Sequence, residues 1–343
     1  MLNRLVRFYY RWRNKEHISK LELESKYSLN QIIATIQQSS QTVVMPSIKI
    51  VSEYRFLGGA NNFGFILMKD EYTHKTLWVG KVASKDLITR EILFLKWHQE
   101  SINLQDVFAP QYLTSGRIPE TSIEFLVTEK LTSVKRIKLN SMFNLYKKTA
   151  GANEFINTTF GTDELMPLKA GSRIRDLLLN LVVQLKTGES KTFIDTFFME
   201  RKKFLPQFID DLSSIEDKVH SLHQKLNIED PSLWGFVHGD FKKSNMMEDG
   251  DGNLKLIDFQ YICYGIRVWD LAFYLSKDKE GFQSSVMNVL NLLINQNERN
   301  LLLFYYVFSV LLHPNIKTFE NSFNNKICPA LNLLNSGVFC ESR

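Results

Sequence analysis

The sequence predicts an α+β fold of two lobes: a small antiparallel sheet with one main helix, followed by a larger, mostly helical part. Three observations predict it. A chain of 343 residues exceeds one small core and fits two lobes sharing a cleft. From Ile48 to Thr128, short runs rich in β-branched and aromatic residues are bounded by turn residues. After about residue 132 the apolar residues recur mainly at helical spacing.

Residues 1–45 read as a basic, amphipathic helical extension. On a helical wheel of 1–13, Leu2, Leu5, Val6, Tyr9 and Trp12 share one face and Arg4, Arg7 and Arg11 the opposite one. Four readings of that helix stand side by side: a peripheral contact with an anionic membrane, packing on the small lobe, a dimer contact, or a transit peptide. A second short helix is expected from Leu29 to about Gln38, with Ser28 as N-cap.

Residues 46–131 form the small lobe. Strands are expected at Ile48–Leu57, Phe63–Met68 and Thr76–Ala83. Asp86 could cap a helix to about Gln99, with Ile88, Ile92, Phe94 and Leu95 inward, and Ile123–Thr128 is a further strand. Residues 132–343 form the larger lobe. Helices are expected over Ile174–Leu185, Thr192–Met199 and Leu205–Leu226, with a strand–turn–strand around Asn245–Phe259. The apolar run Leu301 to Leu312 is shorter than the ~20 residues that span a bilayer and reads as a core helix.

Composition excludes several classes. Apolar and charged fractions of 44% and 23% are ordinary for a soluble globular protein. Cys263, Cys328 and Cys340 show no CxxC spacing and read as reduced thiols of a cytosolic protein. The surplus of basic residues in 1–20 accounts for the whole net charge of +5. The body therefore carries no basic stripe, and no nucleic-acid partner is expected. No signal peptide is evident, so the expected location is the cytoplasm, with the inner membrane face left open by residues 1–13.

The chemistry is concentrated in His238-Gly239-Asp240-Phe241-Lys242-Lys243-Ser244-Asn245, followed by Leu256-Ile257-Asp258-Phe259. Phosphoryl transfer needs alignment and charge neutralisation more than covalent help. One carboxylate must orient the attacking hydroxyl and take its proton. A second carboxylate and a neutral oxygen suffice to hold magnesium, which keeps several waters. Asp240 lies in a loop after the strand-like Gly235–Val237, and Asn245 follows within reach. Asp258 ends the apolar strand Leu254–Ile257, beyond a turn at Glu248–Asn253, so a hairpin would bring it near Asn245.

This segment resembles the catalytic loop and metal-binding strand of the aminoglycoside phosphotransferase and choline kinase superfamily, which carries His-Gly-Asp where protein kinases carry His-Arg-Asp. Trp269-Asp270-Leu271-Ala272 resembles the stretch that follows in those enzymes. The resemblance implies a protein-kinase-like fold, ATP and Mg2+ as cofactors, Asp240 as catalytic base, and Asn245 and Asp258 as metal ligands. It further implies a nucleotide-covering loop at Gly58, Gly59 and Asn61, a phosphate-binding Lys81 and its ion-pair partner Glu91. Phe125–Leu131 resembles the hinge, where backbone groups near Glu129 and Leu131 would meet the adenine edge. Lys242 sits where a lysine would stabilise transferred charge, although Lys243 could be the inward one. His238 is expected to fix the loop and Asp270 to brace its backbone.

The departures bear on the acceptor. Asp258-Phe259-Gln260 lacks the glycine after Phe, and no Ala-Pro-Glu follows. No phosphorylated activation loop is indicated. A small-molecule or glycan acceptor is favoured over a protein, and the rivals are a nucleotide-binding pseudokinase acting as a scaffold and a protein kinase. The sequence is silent on oligomeric state. Two weaker signals read as ordinary structure. Asp249-Gly250-Asp251-Gly252-Asn253 lacks the later positions of a calcium loop and reads as a turn. His220 and His223, three apart on a helix, have no further ligands apparent in sequence.

Overall fold

Alternating apolar residues decide which face each strand buries. In the computed structural model, β1 (Ile50–Arg55), β2 (Gly64–Asp70), β3 (Thr76–Ser84), β4 (Tyr112–Arg117) and β5 (Ile123–Glu129) form an antiparallel sheet in the order β1-β2-β3-β5-β4. Ile66 and Met68 on β2, Val82 on β3, and Ile123, Phe125 and Val127 on β5 share one buried cluster, as a period of two requires. The structure describes residues 16, 18–41, 50–55, 63–102, 107–159, 190–224, 226–228, 230–278, 282–312 and 319–336. The helix expected at 1–13, the loop expected around Gly58, Gly59 and Asn61, and the helix expected at Ile174–Leu185 lie outside them.

The protein divides into two compact units. The first comprises Met1–Val134 and Met247–Gln260, the second Lys135–Met246 and Tyr261–Arg343. In the first unit, a helix α1 (18–25) and α2 (Leu29–Gln41) cover the cluster through Leu21, Ile32 and Ile36. Ser28 and Gln31 form a capping box: Gln31 N donates to Ser28 Oγ at 3.4 Å, and Ser28 N donates to Gln31 Oε1 at 2.8 Å. Part of the segment read as an extension is therefore built into the core of this unit.

The opposite sheet face carries α3 (Lys85–Ser101), where Thr89 Oγ1 donates to Glu124 Oε2 of β5 at 3.1 Å. The helix starts before Asp86, which was expected to cap it. β3 passes straight into α3 with Ser84 at the N-cap position, and Lys85 N donates to Ser122 O at 2.7 Å. Ile88, Ile92, Phe94 and Leu95 are buried, as their spacing predicts. Phe94 packs on Phe259 with ring centroids 4.4 Å apart and on Phe108 at 5.9 Å. β6 (Thr132–Ser133), β8 (Met246–Glu248) and β9 (Leu254–Leu256) make a small sheet. Its turn is held by Asp249 Oδ1, which accepts from Asp251 N at 3.0 Å and Asn253 N at 2.8 Å.

In the second unit, β7 (Trp234–Val237) pairs antiparallel with β10 (Cys263–Ile266). The helices are α4 (Leu139–Lys148), α5 (Asn153–Thr159), α6 (Ser190–Phe204), α7 (Ile209–His223), α8 (Val268–Lys277), α9 (Met287–Leu292) and α10 (Gln296–Leu311). Two more follow, α11 (Phe319–Ser322) and α12 (Cys328–Ser336). α8 and α10 are buried along most of their length, and Trp269 meets the Tyr305 ring edge-on at 5.8 Å. α10 is the core helix expected from the apolar run. No described helix is long and apolar enough to cross a membrane.

A second helix boundary also differs from expectation. Leu205–Leu226 was expected as a single helix, but Pro206–Phe208 form a tight turn and α7 begins only at Ile209. A proline has no N–H to give and suits the first position of a turn. The Phe94→Ala substitution should destabilise the first unit by ~3–5 kcal/mol, the cost of emptying a large aromatic site. Urea unfolding followed by tryptophan fluorescence would register it as a lower midpoint.

Candidate active site

The first unit gathers two carboxylates around Lys81. β3 aims the Lys81 side chain to the α3 side of the sheet, because its neighbour Val82 fills the opposite core. Its Nζ donates to Glu91 Oε2 at 2.7 Å and to Asp258 Oδ1 at 2.8 Å. Glu91 Oε1 also accepts from Phe259 N at 3.3 Å, so one glutamate fixes both the lysine and the backbone after Asp258. The short sequence gap between Lys81 and Glu91 is spanned because β3 enters α3 without a loop. Burial disfavours the Lys81 charge, but the Glu91 and Asp258 carboxylates outweigh it and hold the ammonium above the usual lysine range.

Asp258 has a left-handed backbone, with φ of 68°. An Asp tolerates this region better than most residues, at some cost in strain. Gln260 Nε2 donates to Asp258 Oδ2 at 3.4 Å. At the expected hinge, Glu129 N donates to Gln111 O at 3.0 Å, and Gln111 N returns a bond to Glu129 Oε1 at 2.8 Å. Lys130 N donates to Leu77 O at 2.9 Å, and Leu131 is buried. Gly58, Gly59 and Asn61 lie outside the described residues.

The second unit holds the other predicted residues in one loop after β7. Gly239 has φ of 78°, and a Cβ there would stand 2.6 Å from the Tyr261 carbonyl oxygen. Glycine is therefore required by both conformation and space. Asp270, in the first turn of α8, accepts from His238 N through Oδ2 at 2.8 Å and from Gly239 N through Oδ1 at 3.0 Å. His238 is fully buried, and its Nδ1 accepts from Asp240 N at 3.2 Å. These bonds direct the Asp240 carboxyl, itself 1% exposed.

Lys242 Nζ donates to Asp240 Oδ2 at 2.7 Å, whereas Lys243 Nζ turns away to Lys135 O at 2.8 Å. Lys242 is thus the lysine at the Asp240 carboxylate. Asn245 Nδ2 donates to Asp240 O at 3.0 Å, so the atom its amide can offer a cation is the carbonyl Oδ1. Asn245 Oδ1 and the Asp258 carboxylate are hard oxygen donors, the kind magnesium takes.

Further residues support the second unit's loop. Asn153 Oδ1 accepts from Phe236 N at 2.8 Å. Tyr146 OH donates to Glu298 Oε1 at 3.2 Å, and the Arg267 guanidinium lies over the Tyr146 ring at 5.3 Å. Sequence reading missed all of these. Asn153, Tyr146 and Glu298 stand far from the loop in sequence, and no local pattern announces them. Arg267 precedes the Trp-Asp-Leu-Ala stretch and was the one within reach of notice.

Residues 185–291 match the profile of the family described as "Phosphotransferase enzyme family". That segment contains the loop from His238 to Asn245 together with Asp258 and Asp270. No curated protein matches the sequence. Among solved structures, the spectinomycin phosphotransferase APH(9)-Ia in complex with ADP and spectinomycin aligns with a TM-score of 0.52 at 14% identity, covering 88% of this protein and 98% of that one. An apo thermostable mutant of aminoglycoside phosphotransferase APH(4)-Ia aligns at 0.49 and 12%, covering 84% and 96%. A choline/ethanolamine kinase family protein from Mesorhizobium loti aligns at 0.48 and 13%, covering 88% and 99%.

The fold is therefore the protein-kinase-like one, and the protein is an enzyme of the phosphotransferase class, a kinase. The resemblance to the phosphotransferase family holds over residues 185–291, the segment that carries His238–Asn245 and Asp258.

Burial raises the Asp270 carboxyl to about 7, against the pull of the two N–H groups and of Arg267. An unfolded aspartate titrates near ~3.9. Between these values the folded state binds the extra proton, so this group's contribution to stability declines as pH rises from ~4 to ~7. The Asp270→Asn variant should lose that slope, measured by chemical unfolding across the same pH range. It should also lose activity, because one amide NH2 would face a backbone N–H.

Proposed function

We propose that the protein is a magnesium- and ATP-dependent kinase that phosphorylates a hydroxyl of a small molecule, a sugar or a lipid-linked glycan. The observation that carries this reading is the loop at Asp240: a buried carboxylate, on a backbone pinned by Asp270, with the Lys242 ammonium 2.7 Å away. Such an arrangement suits a proton acceptor beside a reacting hydroxyl, with a cation for the charge that develops.

In this reading Asp240 orients the acceptor hydroxyl and takes its proton as that oxygen bonds the γ-phosphorus of ATP and the bond from that phosphorus to the β,γ-bridging oxygen breaks, releasing ADP. Lys242 steadies the Asp240 carboxylate and stabilises charge on the transferred group. Lys81, positioned by Glu91, grips the nucleotide phosphates, and the backbone N–H groups around Gly58, Gly59 and Asn61 cover them. The backbone carbonyl of Glu129 and the backbone N–H of Leu131 read the adenine edge. Asn245 Oδ1 and the Asp258 carboxylate are the oxygen donors that would hold magnesium, which would supply positive charge against the phosphates.

The nucleotide is supported by the ADP in the spectinomycin phosphotransferase complex, and the small-molecule acceptor by the spectinomycin beside it. A protein acceptor is disfavoured because Asp258-Phe259-Gln260 has no following glycine and no Ala-Pro-Glu closes an activation segment.

The test is Asp240→Asn, which keeps the shape and removes the proton acceptor. Turnover should fall at least ~100-fold, the scale of general-base catalysis, while calorimetry shows Mg-ATP affinity retained. The acceptor for the assay comes from a screen of ATP consumption against aminoglycosides, amino alcohols, sugars and lipid-linked glycans. Near-normal turnover in the variant, or no Mg-dependent nucleotide binding by the unaltered protein, would sink the reading.

A further inference from the structure

A second group of ligand-type side chains lies on the helix pair α6 and α7, in the second unit. Asp195 of α6 and Glu216 and His220 of α7 each bring one ligand atom into a cluster whose members are all within 4.8 Å of one another. We propose that these three side chains form a site for a divalent transition metal, zinc being the best-fitting ion, that clips α6 to α7.

The placement follows from the helices. Glu216 and His220 are four apart, so they stack on one face of α7, the spacing that lets a single helix supply two ligands. α6 returns against that face after the turn at Pro206–Phe208, which supplies Asp195 from the neighbouring helix. His220 Nε2 and Asp195 Oδ1 are 2.7 Å apart. Donors about 2.0–2.2 Å from a zinc ion stand only slightly farther from each other than this. A metal would therefore replace the shared proton with little side-chain movement.

The donor set selects the ion. One imidazole with two carboxylates suits zinc and its first-row neighbours, whereas calcium and magnesium take oxygen alone. Asp195 is 52% exposed and His220 26% exposed, so an ion and a completing water can enter. His223 is not a donor, because its ring lies against Phe304 with centroids 6.2 Å apart. The competitor is Lys202, whose Nζ is 2.6 Å from Glu216 Oε2. Its ammonium must leave that oxygen for the metal to bind, and its charge opposes the incoming ion. The histidines that looked ligand-poor in sequence thus divide: His220 gains two partners by folding and His223 gains none.

The experiment titrates zinc chloride into chelator-stripped full-length protein by calorimetry, with cobalt(II) absorption reporting the coordination. One equivalent should bind to the unaltered protein and raise its Tm by a few degrees. His220→Gln can still bond Asp195, which preserves the fold, and should weaken zinc binding by at least the ~10–100-fold typical of perturbed metal sites. Glu216→Gln should do the same, and Lys202→Met should tighten binding. Equal zinc affinity in the unaltered protein and His220→Gln, or no uptake by the unaltered protein at micromolar zinc, would overturn the proposal. The kinase reading stands apart from this result, since Asp240, Asn245 and Asp258 are untouched in every variant.

Discussion

The first unit is organised around one buried ammonium. Lys81 holds two carboxylates that come from separate parts of the sequence, Glu91 on α3 and Asp258 on the segment that returns after β9. Burying a charge is costly unless it is paired and hydrogen-bonded, and here one lysine serves both acids. The count is uneven: two carboxylates face one ammonium. The group is therefore short of positive charge by itself, which is the electrostatic condition for receiving a further cation. The left-handed backbone at Asp258 is maintained by the same contacts, since Lys81 holds its side chain and Glu91 holds the next N–H.

In the second unit the constraint lies in the backbone. A loop whose N–H groups point inward needs an acceptor, and the Asp270 carboxylate supplies both of its oxygens to consecutive residues. Gly239 lets the backbone turn without striking Tyr261. With the backbone set, His238 has only to accept from the Asp240 N–H, and Asp240 is left to present its carboxyl to Lys242. The position of the Asp240 carboxyl thus rests on Asp270, His238 and the missing side chain at Gly239.

How much of this could be read in the sequence depended on the range of the interaction. The strands of the first unit were legible because burial imposes a period of two, although β4, with the polar run Thr114-Ser115-Gly116-Arg117, carries too little apolar alternation to stand out. The residues His238, Asp240, Asn245 and Asp258 were legible because their spacing is local. The choice between Lys242 and Lys243 was not, since adjacent side chains in an irregular loop take directions that only the folded backbone decides. Tyr146 and Glu298 are separated by most of the second unit's length and meet only in the folded unit. α2 shows the same limit. Its amphipathic pattern predicted a helix, but only the cluster of Ile32 and Ile36 with the sheet reveals that it belongs to the core.

Two aspartates of the second unit, Asp240 and Asp270, illustrate how identical side chains meet different environments. Asp240 and Asp270 are both nearly inaccessible, yet they meet different partners. Asp240 meets an ammonium, a full opposite charge in hydrogen-bond contact. Asp270 meets two backbone dipoles and a more distant Arg267, which offset its burial only in part, and the Asp240 charge pushes it further up. This partial compensation makes Asp270 a group that takes up a proton near neutrality, when the loop loses one of its two acceptors. Arg267 limits this loss, and its own position is fixed by stacking on Tyr146, which Glu298 holds. Glu298, Tyr146 and Arg267 thus bear on the Asp270 carboxyl, and through it on the backbone of the Asp240 loop.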